Sequence, residues 1–208
     1  MSASNLNIPS SFAALTTRLA NEGYKVPQKT EQDVITTGKL LLGGLYHPDR
    51  LTSLWGEGMA IDLPLDDYLT WFHRLPQNIQ QEVTNKWGDV TNHHMLTSVN
   101  GKPSFLFPAV QWGKVLVMPQ PPRSGKVGAD THDTKVPPDH YYLAAYLALR
   151  NKGTDALIHF GTHGTQEWTP GKDRGLSASD YPFLLLGNMP VIYPYIQDNV
   201  VEALQARR

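Results

Sequence analysis

Between positions 159 and 172 the chain reads His-Phe-Gly-Thr-His-Gly-Thr-Gln-Glu-Trp-Thr-Pro-Gly-Lys, so two imidazoles, a carboxylate and an ammonium fall in one short stretch. Imidazole is the commonest ligand for borderline metals and the side chain that titrates near neutrality without help. A carboxylate shortly after it can bind the same ion, orient the ring or take a proton. His159, His163 and Glu167 therefore suit metal handling or proton transfer. Helical zinc motifs of similar spacing need an unbroken helix, whereas Gly161 and Gly164 argue for a turn. Taken singly, His159 reads as a hydrogen-bonded core residue within a strand, and Lys172, after Pro170-Gly171, as a turn lysine.

The apolar run from Asp155 to Phe160, closed by Gly161, reads as a buried strand. Before it, Tyr142, Leu143, Tyr146, Leu147 and Leu149 recur at a helical period between Pro138 and Arg150, and Asn151-Lys-Gly153 supplies a stop. Helix, turn, strand and polar loop in that order put His163 and Glu167 beyond the carboxyl end of a strand, where open α/β sheets collect ligands. A second strand at 114–118 leads into a proline-rich loop carrying Arg123, His132, Asp133 and Lys135. Parallel strands at 114–118 and 156–160, joined by the helix between them, would form a βαβ unit with both loops at one edge, bringing Arg123 and His132 toward His163 and Glu167. His140 is a helix cap or a site-facing residue, and Trp168 a core residue or a pocket wall. His93 and His94 are expected to be exposed.

The amino-terminal half reads as helical. Ser10-Ser11 precede Phe12, Leu15 and Leu19 with a stop at Asn21-Glu-Gly23, and Thr30-Glu-Gln-Asp33 resembles a cap before Val34 and Ile35. Two further helices are expected at 65–73 and 77–87, with Asp66 and Asp67 as a helix-start device rather than a catalytic dyad. Asn100-Gly101 between apolar runs predicts a hairpin. The expected fold class is α/β, a mostly helical region over 1–90 followed by a Rossmann-like βαβ sheet region over 91–208, or one domain throughout. A net charge of -1 and the want of an apolar run of about 20 residues disfavour nucleic acid and a membrane span. With no cysteine, any metal must be held by His and carboxylate, and the cytoplasm is the default compartment.

Residues 159–172, followed by Gly175-Leu-Ser177, Gly187-Asn-Met-Pro190 and Ile192-Tyr-Pro-Tyr195, resemble the large subunit of cobaltochelatase, the CobN family, related to the porphyrin-binding H subunit of magnesium chelatase. The likeness extends upstream through Gln120-Pro-Pro-Arg123 and Pro137-Pro-Asp-His140-Tyr-Tyr-Leu143, and Trp168 with Tyr193-Pro-Tyr195 look like the cobalt branch. Gln166 departs from it, standing where the family has an apolar residue.

The resemblance implies a piece of a longer, ATP-dependent chelatase that binds a hydrogenobyrinate-type tetrapyrrole and inserts Co2+ in cobalamin biosynthesis, inactive by itself. Partner subunits would hydrolyse the ATP, since no Gly-x4-Gly-Lys-Ser/Thr phosphate loop is present here. It makes His163 and Glu167 the catalytic pair, His132, His159, His163 and Glu167 the metal ligands, and Arg123, His140, Trp168 and Lys172 the contacts to the macrocycle. The alternatives are a magnesium chelatase H-like porphyrin-binding subunit, a non-catalytic tetrapyrrole-binding module, and a metal-dependent hydrolase that activates a bound water.

Overall fold

The computed structural model describes residues 7–123, 134–160, 165–171 and 175–193, with the backbone alone for Tyr46, Pro48 and Glu167. Helix α1 (Ile8–Asn21) begins where the Asn7 side chain accepts from the Ser10 N–H and Pro9 sits in the first turn. Helix α2 (Glu31–Tyr46) opens on a capping box in which Thr30 and Asp33 each accept from the other's backbone N–H. A 3-10 turn at Pro48–Arg50 leads into the short α3 (Leu51–Gly56), which the sequence pattern did not signal.

Strand β1 (Ala60–Pro64) runs directly into α4 (Leu65–Phe72), and α5 (Gln77–Trp87) follows. Pro64 and Pro76 stand at the two helix starts, and Asp66 and Asp67 occupy the first turn of α4, as expected of a helix-start device. The hairpin also forms as expected: β2 (Leu96–Val99) pairs antiparallel with β3 (Lys102–Pro108), Leu96 opposite Phe105 and Val99 opposite Lys102. Asn100 and Gly101 take φ of 50° and 80°, the left-handed pair that a two-residue hairpin turn requires. In the three-stranded sheet of order β1-β3-β2, central β3 is buried on both faces from Ser104 to Pro108. A second, tight hairpin joins β4 (Val110–Trp112) to β5 (Val115–Val117).

Helix α6 (His140–Asn151) is followed by β6 (Leu157–Ile158), a 3-10 turn at Thr165–Trp168, α7 (Tyr181–Leu186) and β7 (Val191–Ile192). The expected βαβ unit is corrected here. β5 pairs antiparallel with β4, and the parallel partner of β6 is β7, Leu157 opposite Val191 and Ile158 opposite Ile192. A parallel crossover thus exists one step later in the chain, with α7 rather than α6 in the connection. The reason is local: Gly113, at φ 61°, folds β5 back on its neighbour before it can join a distant strand.

Two compact units result, Met1–Asp62 with Leu106–Gln120, and Leu63–Phe105 with Pro121–Arg208. In the first unit, Gly113 lies against the chain at Lys25, whose carbonyl accepts from Lys114 N at 2.9 Å. A Cβ at position 113 would stand 1.9 Å from that oxygen. Gly113→Ala should therefore cost about 2 kcal/mol or more through strain at positive φ plus the backbone clash. Thermal unfolding should show a fall in Tm of several degrees; an unchanged Tm would mean that the two segments do not touch.

Candidate functional site

Helix α6 is buried on every side from His140 to Leu149, so each polar group it carries must find a partner inside the protein. Asp139 caps it, accepting from Tyr142 N at 2.8 Å. The ring of His140, 1% exposed, lies between the Tyr68 hydroxyl, 2.7 Å from Nδ1, and the Gly88 carbonyl, 3.1 Å from Nε2. A carbonyl only accepts, so Nε2 carries the proton and Nδ1 accepts from Tyr68. Burial holds the His140 imidazole below its ordinary range, which keeps that neutral tautomer in place. Both ring nitrogens of His140 are thus engaged within the protein.

His93, expected to be exposed, is in fact enclosed: its ring stacks on His94 at 4.7 Å and meets Phe105 edge-on at 5.4 Å. Its side chain is 7% exposed, and Nδ1 accepts from Met95 N at 3.2 Å. Nε2 stands 3.9 Å from Asp139 Oδ2, too far for a hydrogen bond. Burial lowers His93 to about 4 and raises Asp139 to about 7. Desolvation thus outweighs attraction for both, and in weak acid this contact joins neutral groups rather than ions.

Farther along α6, two phenols reach the turn that carries Glu167. The Tyr142 hydroxyl lies 2.7 Å from Thr165 Oγ1 and 3.2 Å from the Tyr146 hydroxyl. Tyr146 donates to Gln166 Oε1 at 3.4 Å, and Gln166 Nε2 donates to the Tyr193 hydroxyl at 2.6 Å. Thr169, fully buried, donates its hydroxyl to the Gln166 carbonyl at 2.6 Å. The guanidinium of Arg123, itself buried, donates to the Trp168 carbonyl, and the Arg123 carbonyl accepts from Asp139 N at 3.1 Å. The turn is thus fastened from beneath at Thr165, Gln166 and Trp168, which flank Glu167.

His159 belongs to the same cluster. Its N–H donates to the Ile192 carbonyl at 3.0 Å, prolonging the β6–β7 ladder. Its ring lies 5.1 Å from that of Tyr193 and 6.5 Å from that of Tyr146. The side chain is buried, yet Nε2 has no hydrogen-bond partner among the described residues. Leaving such an atom unpaired costs about 1–3 kcal/mol, and uncompensated polar atoms of this kind gather at functional sites. Burial lowers its pKa to about 4, so the ring is neutral near pH 7 and retains a lone pair for an electrophile or a proton.

Of the residues singled out in the sequence, His159, Arg123 and Trp168 meet around the Thr165–Trp168 turn, whereas His140 sits apart with Tyr68 and Gly88. Arg123 straps the turn rather than presenting its charge outward. His132, His163, Lys172 and the Glu167 side chain lie outside the described residues. Among the described residues no group of three or more His, Asp or Glu is arranged to hold a metal. Sequence reasoning missed Tyr142, Tyr146 and Tyr193 as supports of the site. The available signal was a pair of phenols one helical turn apart on a helix otherwise almost wholly apolar.

The family model described as CobN/magnesium chelatase matches residues 1–208. The chain is similar to the aerobic cobaltochelatase subunit CobN of Pseudomonas aeruginosa, 36% identical over 206 residues, which are 98% of this chain and 16% of that one. It is also similar to the magnesium-chelatase H subunit of Rhodobacter capsulatus, 33% identical over 131 residues, 62% of this chain and 11% of that protein. Among solved structures it resembles the catalytic subunit of cobaltochelatase from Mycobacterium tuberculosis, with a TM-score of 0.78 and 30% identity over 98% of this chain and 17% of that one. The chain therefore spans about a sixth of the length of its cobaltochelatase relatives.

The raised pKa of Asp139 has a measurable sign. Between about pH 4 and pH 7 the folded protein binds this proton more tightly than the unfolded chain does, so the group's contribution is present in acid and lost as pH rises through about 7. Asp139→Asn keeps the cap acceptor and removes that loss. Urea unfolding at about pH 5 and about pH 8 should show the variant gaining roughly 2 kcal/mol on the wild type across the interval. A difference independent of pH would mean that Asp139 titrates normally. His93 and His159, lowered to about 4, bias both proteins the other way and drop out of the difference.

Proposed function

The chain belongs to the CobN/magnesium chelatase family, and on that premise we propose that it forms part of a cobaltochelatase large subunit that binds a hydrogenobyrinate-type tetrapyrrole and receives Co2+ for insertion. Chelation exchanges two pyrrolic N–H protons for one metal ion, so the site needs a group that hands over the metal and a base that takes protons. His163 and Glu167 are assigned those duties, with His159 and His132 as further ligands to the incoming ion and Lys172 as an anchor for a peripheral carboxylate. Arg123 and Trp168 act through the turn that carries Glu167. ATP hydrolysis belongs to partner subunits, and no described helix is long and apolar enough to cross a membrane.

The observation that carries this reading is the unpartnered Nε2 of His159. It is a buried, neutral imidazole just after strand β6, at the entry to the His163–Glu167 stretch, packed beside Tyr146 and Tyr193. A second reading is a magnesium chelatase H-like subunit taking a porphyrin, favoured by the second kind of relative.

The test is an absorbance titration of the whole subunit with a hydrogenobyrinate-type macrocycle and, separately, protoporphyrin, followed by Co2+ and the ATPase partners. Tight binding of the first and a cobalt-dependent spectral change are expected. Preference for the porphyrin would select the magnesium branch, binding without insertion a carrier, and metal-dependent ester or amide turnover without macrocycle a hydrolase. Glu167→Gln should lower insertion roughly 100-fold or more with macrocycle binding and Tm unchanged, as expected for a lost acid-base group. Parallel loss of Tm and activity would remove Glu167 from the chemistry.

A further inference from the structure

Gln166 is buried to 4% exposure in a cluster of phenols, where a polar side chain survives only if its amide is satisfied. It meets that demand in one way, accepting from Tyr146 on α6 and donating to Tyr193 just after β7. Those same two rings are the aromatic neighbours of His159, at 6.5 Å and 5.1 Å. The amide is therefore a brace between two rings that contact the imidazole. An imidazole ring is free to turn about its last side-chain bond unless a hydrogen bond or packing stops it. Here Nε2 has no hydrogen bond among the described residues, so packing against Tyr146 and Tyr193 is what holds the ring's plane.

We propose that Gln166 is a positioning residue: by bracing Tyr146 against Tyr193 it sets the orientation of the His159 ring and so aims the open Nε2 at the incoming divalent ion. This deepens the reading of the site given above and rests on it. Supports that orient a metal-binding imidazole from behind are worth roughly 10- to 100-fold in metal affinity. The backbone of the turn is tied separately, through Thr169, Thr165 and Arg123, so the side-chain amide can be removed without releasing the turn.

The test uses NMR on the 208-residue chain, first without metal and then with Co2+ as a paramagnetic probe. Gln166→Leu keeps the volume and deletes both hydrogen bonds, and Tyr193→Phe keeps the ring and deletes one acceptor. Gln166→Glu restores the brace, because both phenols can donate to a carboxylate. Cross-peaks between the His159 ring protons and those of Tyr146 and Tyr193 should be present in the wild type and in Gln166→Glu, and weakened or lost in the other two. Signals from the Leu96–Phe105 hairpin should be unchanged in every variant, as a control for folding. Unaltered cross-peaks in both Gln166→Leu and Tyr193→Phe would overturn the brace. In the cobalt titration, Gln166→Leu should need roughly 10-fold or more cobalt than the wild type to broaden the His159 signals, with Gln166→Glu near the wild type. Equal broadening in all four proteins would overturn the aiming role. A wild type with its cross-peaks intact and no broadening would sink the assignment of His159 as a ligand while leaving the brace standing.

Discussion

The second unit is organised by the complete enclosure of α6. A helix with no solvent-facing side cannot leave a hydroxyl, carboxyl or imidazole to water, so each is placed against a specific partner, and the partners are the elements that build the site. At the amino end Asp139 satisfies the first turn and His140 joins the Tyr68 hydroxyl to the Gly88 carbonyl. Farther along, Tyr142 and Tyr146 reach Thr165 and Gln166. At the far end Arg150 donates to the Leu184 carbonyl at 3.1 Å, and its guanidinium lies so close to Gly187 that a Cβ there would sit 2.9 Å from Cζ. Gly187, at φ 57°, ends α7 in a conformation that glycine adopts without strain. One buried helix thus fixes α4, the segment after α5, the Thr165–Trp168 turn and α7.

Low dielectric has the same consequence at each ionisable group it reaches. His93, His140 and His159 are all held below the usual imidazole range, and Asp139 above the usual carboxylate range, because burial penalises whichever form is charged. The buried histidines are therefore neutral near pH 7, while Asp139 is in mid-titration there and the buried Arg123 guanidinium keeps its charge. His140 spends both ring nitrogens on protein partners, whereas His93 spends Nδ1 on the Met95 N–H and holds Nε2 3.9 Å from Asp139. His159 has the same neutrality, with a buried Nε2 that has no hydrogen-bond partner among the described residues.

Most of the local structure was legible. The cap at Thr30, the acidic start of α4, the Asn100-Gly101 turn and the apolar spacing of α1 and α6 act within a few residues, so the pattern states them directly. The short elements α3, α7 and β7 were not, since six or fewer residues show too little of a period to be told from a loop. Strand partners were misjudged for a different reason. Periodicity gives the existence of β5 and β6 and nothing about which strand lies beside them, and a tight turn at Gly113 decided the first while pairing with β7 decided the second.

The chemistry of the 159–172 stretch, its place after a strand and its likeness to a chelatase subunit were all determined by residue types and their order, because ligand chemistry belongs to side chains and motifs are linear. Which of the histidines is spent and which is open was decided by tertiary structure alone. In the sequence His93 reads as exposed, His140 as a cap or a site-facing residue, and His159 as a core residue or a ligand. Tyr68 and Gly88 arrive from other elements to occupy His140, Phe105 and Asp139 join Met95 and His94 in enclosing His93, and Tyr146 and Tyr193 pack beside His159, whose Nε2 has no partner among the described residues. Apart from Met95 and His94, close neighbours of His93 in the chain, those partners come from distant parts of the chain, and a contact between residues so far apart has no trace in local spacing.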